Sequence, residues 1–406
     1  MTFRRSMTPR GGSFLESGLV APVLSVAGLV LVAALSVGLL TGNLPTFLGG
    51  DGGGNGGPGR TATPSNVVIV DPRTDVPGTL VYVKAGNVWL QRGNEAGQLT
   101  SGGRDAMAAF SPDGAWVYFV RTTPETGSWG INNVTRRYRL STPTLMRVRA
   151  DGDSEPEALL TGRITLGSFT WSYFLRQPAI SPDGTKAALV TDGPDPRTSD
   201  VVLQVLDLET LALTKINVPE NAPLGHQDPS WSPDGRYLVY VLNGRDGTRG
   251  APVVMRYDTT TGTASALTGP GYTGPVWSHD GKYIAATRTT AFGTDVVVLD
   301  GLGTELLRLT DDGRAFAPAW SPIGDAIAFL EIDGGVTDLW LAPVDISGLP
   351  AADGDRIQLT ISAGLDAGSR PGWWVPEELI PTPPPTPTQA PSELPSDGAL
   401  SSSTEP

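Results

Sequence analysis

The 406-residue chain contains no cysteine. That absence excludes a disulfide framework, a thiolate zinc site, a cysteine nucleophile and a lipoprotein-type cysteine anchor. Basic residues are in deficit: 29 Lys and Arg stand against 42 Asp and Glu, a net charge of −13. No cationic surplus is left to neutralise phosphates, which argues against a nucleic-acid binder. Only two histidines occur, His226 and His279. No G-x-S-x-G elbow, P-loop or H-E-x-x-H occurs, and no G-x-G-x-x-G stands between a strand and a helix. Neither a cofactor nor a metal is expected. Charged residues make up only 17% of the chain, so the body is not a disordered polyelectrolyte.

What is present begins with one apolar run. Gly18 to Leu40 carries no charge and is rich in Leu, Val and Ala. As a helix it would extend roughly 35 Å, enough for a bilayer core of about 30 Å. Arg4, Arg5 and Arg10 precede it, and the next charge after it is Asp51. By the positive-inside rule, residues 1–17 form a cytoplasmic stub, 18–40 a transmembrane signal anchor, and the rest lies outside the cytoplasm. The run is longer than a usual cleaved signal core and no A-x-A site follows. Residues 41–64 read as a glycine-rich linker, and 381–406, rich in Pro, Ser and Thr, as a disordered tail.

Residues 65–380 show no helical period. Instead a phrase recurs: FSPDG (Phe110–Gly114), ISPDG (Ile180–Gly184), WSPDG (Trp231–Gly235), WSHDG (Trp277–Gly281) and WSPIG (Trp320–Gly324). A β-rich run follows each copy, then a second run such as TDVVVLD (294–300), then a segment ending in Leu-Thr. The Leu-Thr positions are Leu99, Leu160, Leu213, Leu267, Leu309 and Leu359. Four strands per unit is the size of a propeller blade. Six Leu-Thr segments face only five such turns. The sixth innermost strand is PGWW (Pro371–Trp374), completed by N-terminal strands TLVYV (79–83) and NVWLQR (87–92). The expected fold is therefore all-β: a six-bladed propeller of four-stranded antiparallel blades, closed by both chain ends.

The pattern LT…PxWSPDG…IAF…VVxxD resembles the repeat of the TolB-like six-bladed propeller family, and it runs through most of the propeller region. The resemblance implies the architecture more than an activity. Its family includes periplasmic protein-binding propellers and the gating propellers of prolyl-oligopeptidase-like enzymes. No hydrolase-sized segment follows residue 380 in this sequence, so an oligopeptidase of that kind is not expected. Ser-Pro-Asp-Gly itself needs no chemistry. Proline presets φ, aspartate accepts a backbone hydrogen bond, and glycine takes the positive φ. The tryptophans beside these turns suit wedges between blades.

Candidate functional residues lie in the long connections on the face opposite these turns, at 122–142, 162–176, 217–227 and 361–370. They supply Trp129, Arg136, Arg137, Tyr138, Arg139, Phe169, Trp171, Tyr173, Phe174, His226 and Arg370, with Asp228 directly after the third. Arg and aromatic residues are enriched at binding hot spots, and long loops on a rigid ring are where recognition resides. A purely structural role, in which the aromatics glue the loops to the ring, is the competing reading. The acidic stretch Asp151–Glu157 has alternate carboxylates but reads as a hairpin turn rather than a calcium loop. The expected function is a non-catalytic scaffold, anchored in the membrane through 18–40 and binding a protein or an extended cell-envelope polymer. Two alternatives are a lyase or hydrolase acting on a glycan, with His226, Asp228 and Arg370 converging on a metal, and a spacer presenting the tail.

Overall fold

The structure, a computed structural model, describes residues 68–70, 76–131, 134–194, 201–219, 225–244 and 251–380. The expected membrane helix, the glycine-rich linker and the tail lie outside the described residues. Among those described, the only helical element is the 3-10 turn Glu377–Leu379, and no helix is long and apolar enough to cross a membrane.

Six antiparallel sheets follow one another along the chain. Blade 1 comprises Asp105–Phe110, Trp116–Ile131, Val134–Arg149 and Glu157–Thr161; blade 2 comprises Leu175–Ile180, Lys186–Thr191, Val202–Asp207 and Leu213–Lys215. Blade 3 contains His226–Trp231, Tyr237–Leu242, Val253–Asp258 and Thr263–Pro270. Blade 4 contains Tyr272–Trp277, Tyr283–Thr290, Gly293–Asp300 and Glu305–Arg308. Blade 5 is built from Ala315–Trp320, Ala326–Asp333, Val336–Asp345 and Ile357–Gln358, with Ala351–Ala352 at its edge. Blade 6 joins the two chain ends. Its innermost strand, Gly372–Trp374, pairs with Thr79–Val81, and Asn87–Arg92 and Glu95–Gln98 complete the sheet.

Strands that lie between two neighbouring blades are buried on both faces, which is why they read as unbroken apolar runs. Val296, Val297, Val298 and Leu299 are all fully buried. Six separate core clusters occupy the six blade interfaces. Trp277 packs with Val239 and Val254 of the preceding blade, and Trp320 with Val296 and Val298. At the closure, Leu80 and Tyr82 of blade 6 pack on Leu330 and Leu339 of blade 5. The expected tryptophan wedges are thus in place.

The recurring turn is a self-contained lock. Ser111, Ser181, Ser232 and Ser278 each donate from Oγ to the aspartate two residues on, at 2.5–2.7 Å. That aspartate accepts the backbone N–H two residues further, as Asp234 does from Arg236 at 3.0 Å. The turn glycines adopt φ of +67° to +88°, which only glycine takes without strain. In the fifth copy Ile323 replaces the aspartate, and Ser321 donates instead to Asp325 at 2.7 Å. The Leu-Thr signature has its own cause in four of six copies. Hydroxyls of Thr100, Thr268, Thr310 and Thr360 accept the N–H of Val88, Val254, Val296 and Leu339 at 2.9–3.1 Å.

Candidate functional site

Two places gather the sequence candidates. The first is a projection on the face opposite the turns. The middle strands of blade 1 do not stop at the blade rim: after Arg121, the last residue paired to the innermost strand, the ladder continues to Ile131↔Val134. These ten extra positions form a two-stranded ribbon extending roughly 30 Å. The segment 122–142, read from sequence as a loop, is therefore a hairpin. A shorter hairpin, Arg163–Leu166 with Phe169–Ser172, docks beside it through Ser128↔Thr170.

Directly paired residues share a face of a ladder, so the candidates divide. Trp129, Arg136 and Tyr138 lie on one face of the long hairpin; Arg137 and Arg139 lie on the other, with Ser128 and Thr126. Trp129 meets Phe169 and Trp171 edge-on, with ring centroids 5.5 and 6.0 Å apart. Tyr138 crosses Gly127, where a Cβ would come within 2.5 Å of its ring, and donates to the Thr170 carbonyl at 2.7 Å. Arg163 pairs with Glu125 at the base, 2.9 Å away. The aromatics do glue the two hairpins, yet Trp129 remains 42% exposed and Phe174 54%. Arg136, Arg137 and Arg139 are exposed and make no hydrogen bond or ion pair among the described residues. Tyr173 departs from the expectation. It is 6% exposed, donates to the Thr161 carbonyl at 2.9 Å, and packs where Gly193 has no side chain.

The second place is the central channel. The innermost strands of blades 1 to 5 each carry a bulge four residues before the turn serine, at Met107, Gln177, Asp228, Gly274 and Ala317. All five take positive φ, between +51° and +58°. This geometry turns a backbone N–H sideways onto the preceding blade. Met107 N–H donates to Ser369 Oγ (2.9 Å), Gln177 N–H to Met107 Sδ (3.2 Å) and Asp228 N–H to Gln177 Oε1 (3.0 Å). Gly274 N–H donates to Asp228 Oδ2 (3.1 Å) and Ala317 N–H to Thr287 Oγ1 (3.0 Å). The result is a head-to-tail girdle around the channel. Arg370, the residue before Pro371, stands at the matching place in blade 6 by the repeat alignment. Its guanidinium donates to the carbonyls of Pro275 and Pro229 at 3.2 and 3.3 Å.

Asp228 and Arg370 therefore do meet in the channel, together with Arg176, which the sequence reading passed over. Burial pushes the Asp228 carboxyl above its ordinary range, opposed by Arg370, the Gly274 N–H and Arg176. Burial likewise lowers Arg176 and Arg370, and Asp228 acts against it. His226 does not join them, a correction to its expected place at a ligand. It is 1% exposed, its Nδ1 accepts the Leu203 N–H at 2.9 Å, and Nε2 bonds the Pro219 carbonyl at 2.7 Å. Both ring nitrogens face backbone groups, so the histidine fastens blade 3 to blade 2. The trio that metal chemistry on a glycan would use is not assembled. Among the described residues no three His, Cys, Asp or Glu side chains are grouped to hold a metal. Two of the acids of 151–157 are tied to neighbouring arginines: Asp151 pairs with Arg149 at 2.7 Å, and Glu157 pairs with Arg147.

The channel volume is about 920 Å³, and its lining reaches from the girdle to Pro182, Pro233, His279 and Pro322 of the recurring turns. The turn face is thus less plain than the motif alone implies. The signal that would have found Arg176 and Gln177 is positional: in register, both sit at or beside the bulge that precedes each X-Pro or X-Ala pair.

No family model matches the chain. Over 136 residues it is 31% identical to the uncharacterized peptidase YuxL of Bacillus subtilis, covering 33% of this chain and 20% of that protein. Over 149 residues it is 31% identical to the uncharacterized protein Atu1656 of Agrobacterium fabrum, covering 36% of this chain and 42% of that one. The chain thus spans less than half the length of either curated relative. Among solved structures, TolB from Acinetobacter baumannii superposes with a TM-score of 0.51 at 18% identity, over 73% of this chain and 66% of that one. That likeness is one of fold: the chain is a six-bladed β-propeller similar to TolB in its ring.

Proposed function

We propose that the protein is a binding scaffold, tethered to the membrane through residues 18–40, whose propeller holds a protein or an extended envelope polymer outside the cytoplasm. The observation that carries this reading is the long hairpin of blade 1. It lifts Arg136, Arg137 and Arg139 clear of the ring, and their side chains make no hydrogen bond or ion pair among the described residues, in a chain of net charge −13. Exposed Arg136 beside Trp129 on one face, and Arg137 and Arg139 on the other, form a projection suited to an acidic partner. The ring's role is rigidity. The short hairpin buttresses the long one, so the arginines are presented on paired strands and little ordering entropy is lost on binding.

The test is cross-linking and recovery of partners from intact cells with the full-length chain. The comparison is with a variant carrying Arg136→Ala, Arg137→Ala and Arg139→Ala. Loss of a specific partner in the variant supports the assignment; equal recovery from both sinks it. The tether is tested separately. Protease added to intact cells should digest the ring without lysis, and protection of the ring would contradict the outside orientation.

A further inference from the structure

The channel has a charge imbalance that the scaffold reading does not use. Its ionisable lining consists of Arg176, Asp228 and Arg370, with His279 at the turns. Asp228 has both oxygens occupied, Oδ1 by Gln177 Nε2 at 2.5 Å and Oδ2 by the Gly274 N–H at 3.1 Å. Arg370 commits two N–H groups to the carbonyls of Pro275 and Pro229. Arg176 lines the cavity and makes no hydrogen bond or ion pair among the described residues. A guanidinium carries five N–H donors, so most of the donors on these two side chains have no acceptor among the described residues. Two cations face one carboxylate, which leaves a single positive charge uncompensated. Enclosing an unbalanced charge is costly, and its presence in a cleft marks a place for a ligand.

The missing acceptor has a definable chemistry. A monoanion restores neutrality, and a planar carboxylate matches the guanidinium fork. Toward the turns Val276, Trp277, Ala319, Trp320, Pro182 and Pro233 supply apolar wall, interrupted by the turn serines and His279. The volume of about 920 Å³ lies within the range of small-molecule sites. We infer that the channel binds a hydrophobic monocarboxylate, with its carboxylate between Arg176 and Arg370 and its apolar body directed toward the turns. This site is independent of the hairpin surface. The carboxylate could belong to a free small acid or to the C-terminus of an apolar peptide; the chemistry is shared.

Titration calorimetry on the full-length protein, with detergent alone as blank, separates the possibilities. The probes are 4-phenylbutyrate with its neutral amide, and a short apolar peptide with a free or an amidated C-terminus. The site predicts saturable binding of at least one acid and none of its amide. Arg176→Gln should weaken that acid by about tenfold or more, since a charge-assisted bidentate contact is lost. The thermal midpoint of Arg176→Gln is measured without ligand beside the binding, because Arg176 also faces Asp228. The tighter of the two acids identifies the source. Absence of saturable acid binding, equal binding of acid and amide, or an affinity unchanged in Arg176→Gln would each overturn the inference. The acid–amide pair needs no variant, so poor folding of Arg176→Gln would not shield it.

Discussion

On one face of the ring, four serines donate to an aspartate two residues on, and a fifth finds Asp325 when its usual partner is Ile323. On the other face the described connections differ in length. Blade 1 throws out a 16-residue strand pair, the connection to blade 2 folds back as a second hairpin, and blade 4 turns back within Thr290–Gly293. The difference teaches where constraint resides. A turn whose polar groups satisfy one another has nothing left for a partner, whereas the long hairpin carries arginines with no acceptor among the described residues. Repetition here marks folding; departure from repetition marks exposure.

The sharpest way to break the comparison is at the closure, where one face's regularity depends on both chain ends. Gly78 sits at φ +77°, and a Cβ there would lie 2.2 Å from the Trp374 carbonyl that pairs with Thr79. Gly78→Ala should therefore cost about 3 kcal/mol, read from urea unfolding, by combining overpacking with backbone strain. A smaller loss is expected in the turns. Asp234→Ala should cost about 1 kcal/mol, the worth of its serine and backbone hydrogen bonds. Asp325→Ala should cost about the same even though it stands two places later in the turn. A neutral Asp325→Ala would show that the rescue in blade 5 is not functional.

The acid limb sharpens the same contrast. Hydrogen bonds from Ser111, Ser181 and Ser232 hold the Asp113, Asp183 and Asp234 carboxyls below their ordinary range. Their contribution is present above the unfolded value near 4 and is lost as pH falls through the lower folded values. Burial acts the other way on Asp228 and Asp366, raising both. Their contribution is present below the unfolded value and is lost as pH rises through the folded one. Thermal midpoints measured from pH 6 to 2 should fall on the acid side. Ser232→Ala should flatten that fall, and Asp228→Asn should steepen it.

Much of the ring was legible because its grammar is local. Five turns, six Leu-Thr segments and the PGWW remnant were enough for the blade count and the closure, and the observed pairing of Gly372–Trp374 with Thr79–Val81 matches it. The long hairpin was not legible, since Pro124, Gly127 and Gly130 interrupt any β pattern between 122 and 131. Those residues are tolerated in a ribbon outside the blade: Pro124 needs no donor, and Gly127 makes room for the Tyr138 ring. His226 misled for a related reason. Its polarity suggested a ligand, but a buried bulge strand also needs a side chain that can bond two backbone groups at once. The girdle is a property of six blades meeting at an axis, and no single repeat announces it.

The smallest expected change in stability belongs to the largest expected change in binding. Replacing Arg136, Arg137 and Arg139 by alanine should leave unfolding within about 0.5 kcal/mol of wild type, because these exposed side chains make no hydrogen bond or ion pair among the described residues. The most direct measurement is therefore partner recovery by cross-linking in cells, for this triple variant and for Asp234→Ala, each beside its own thermal midpoint. Loss of the partner at an unchanged midpoint in the triple variant, with a lowered midpoint and retained partner in Asp234→Ala, is the predicted result. Retained partner in the triple variant, or partner loss confined to Asp234→Ala, would contradict the account.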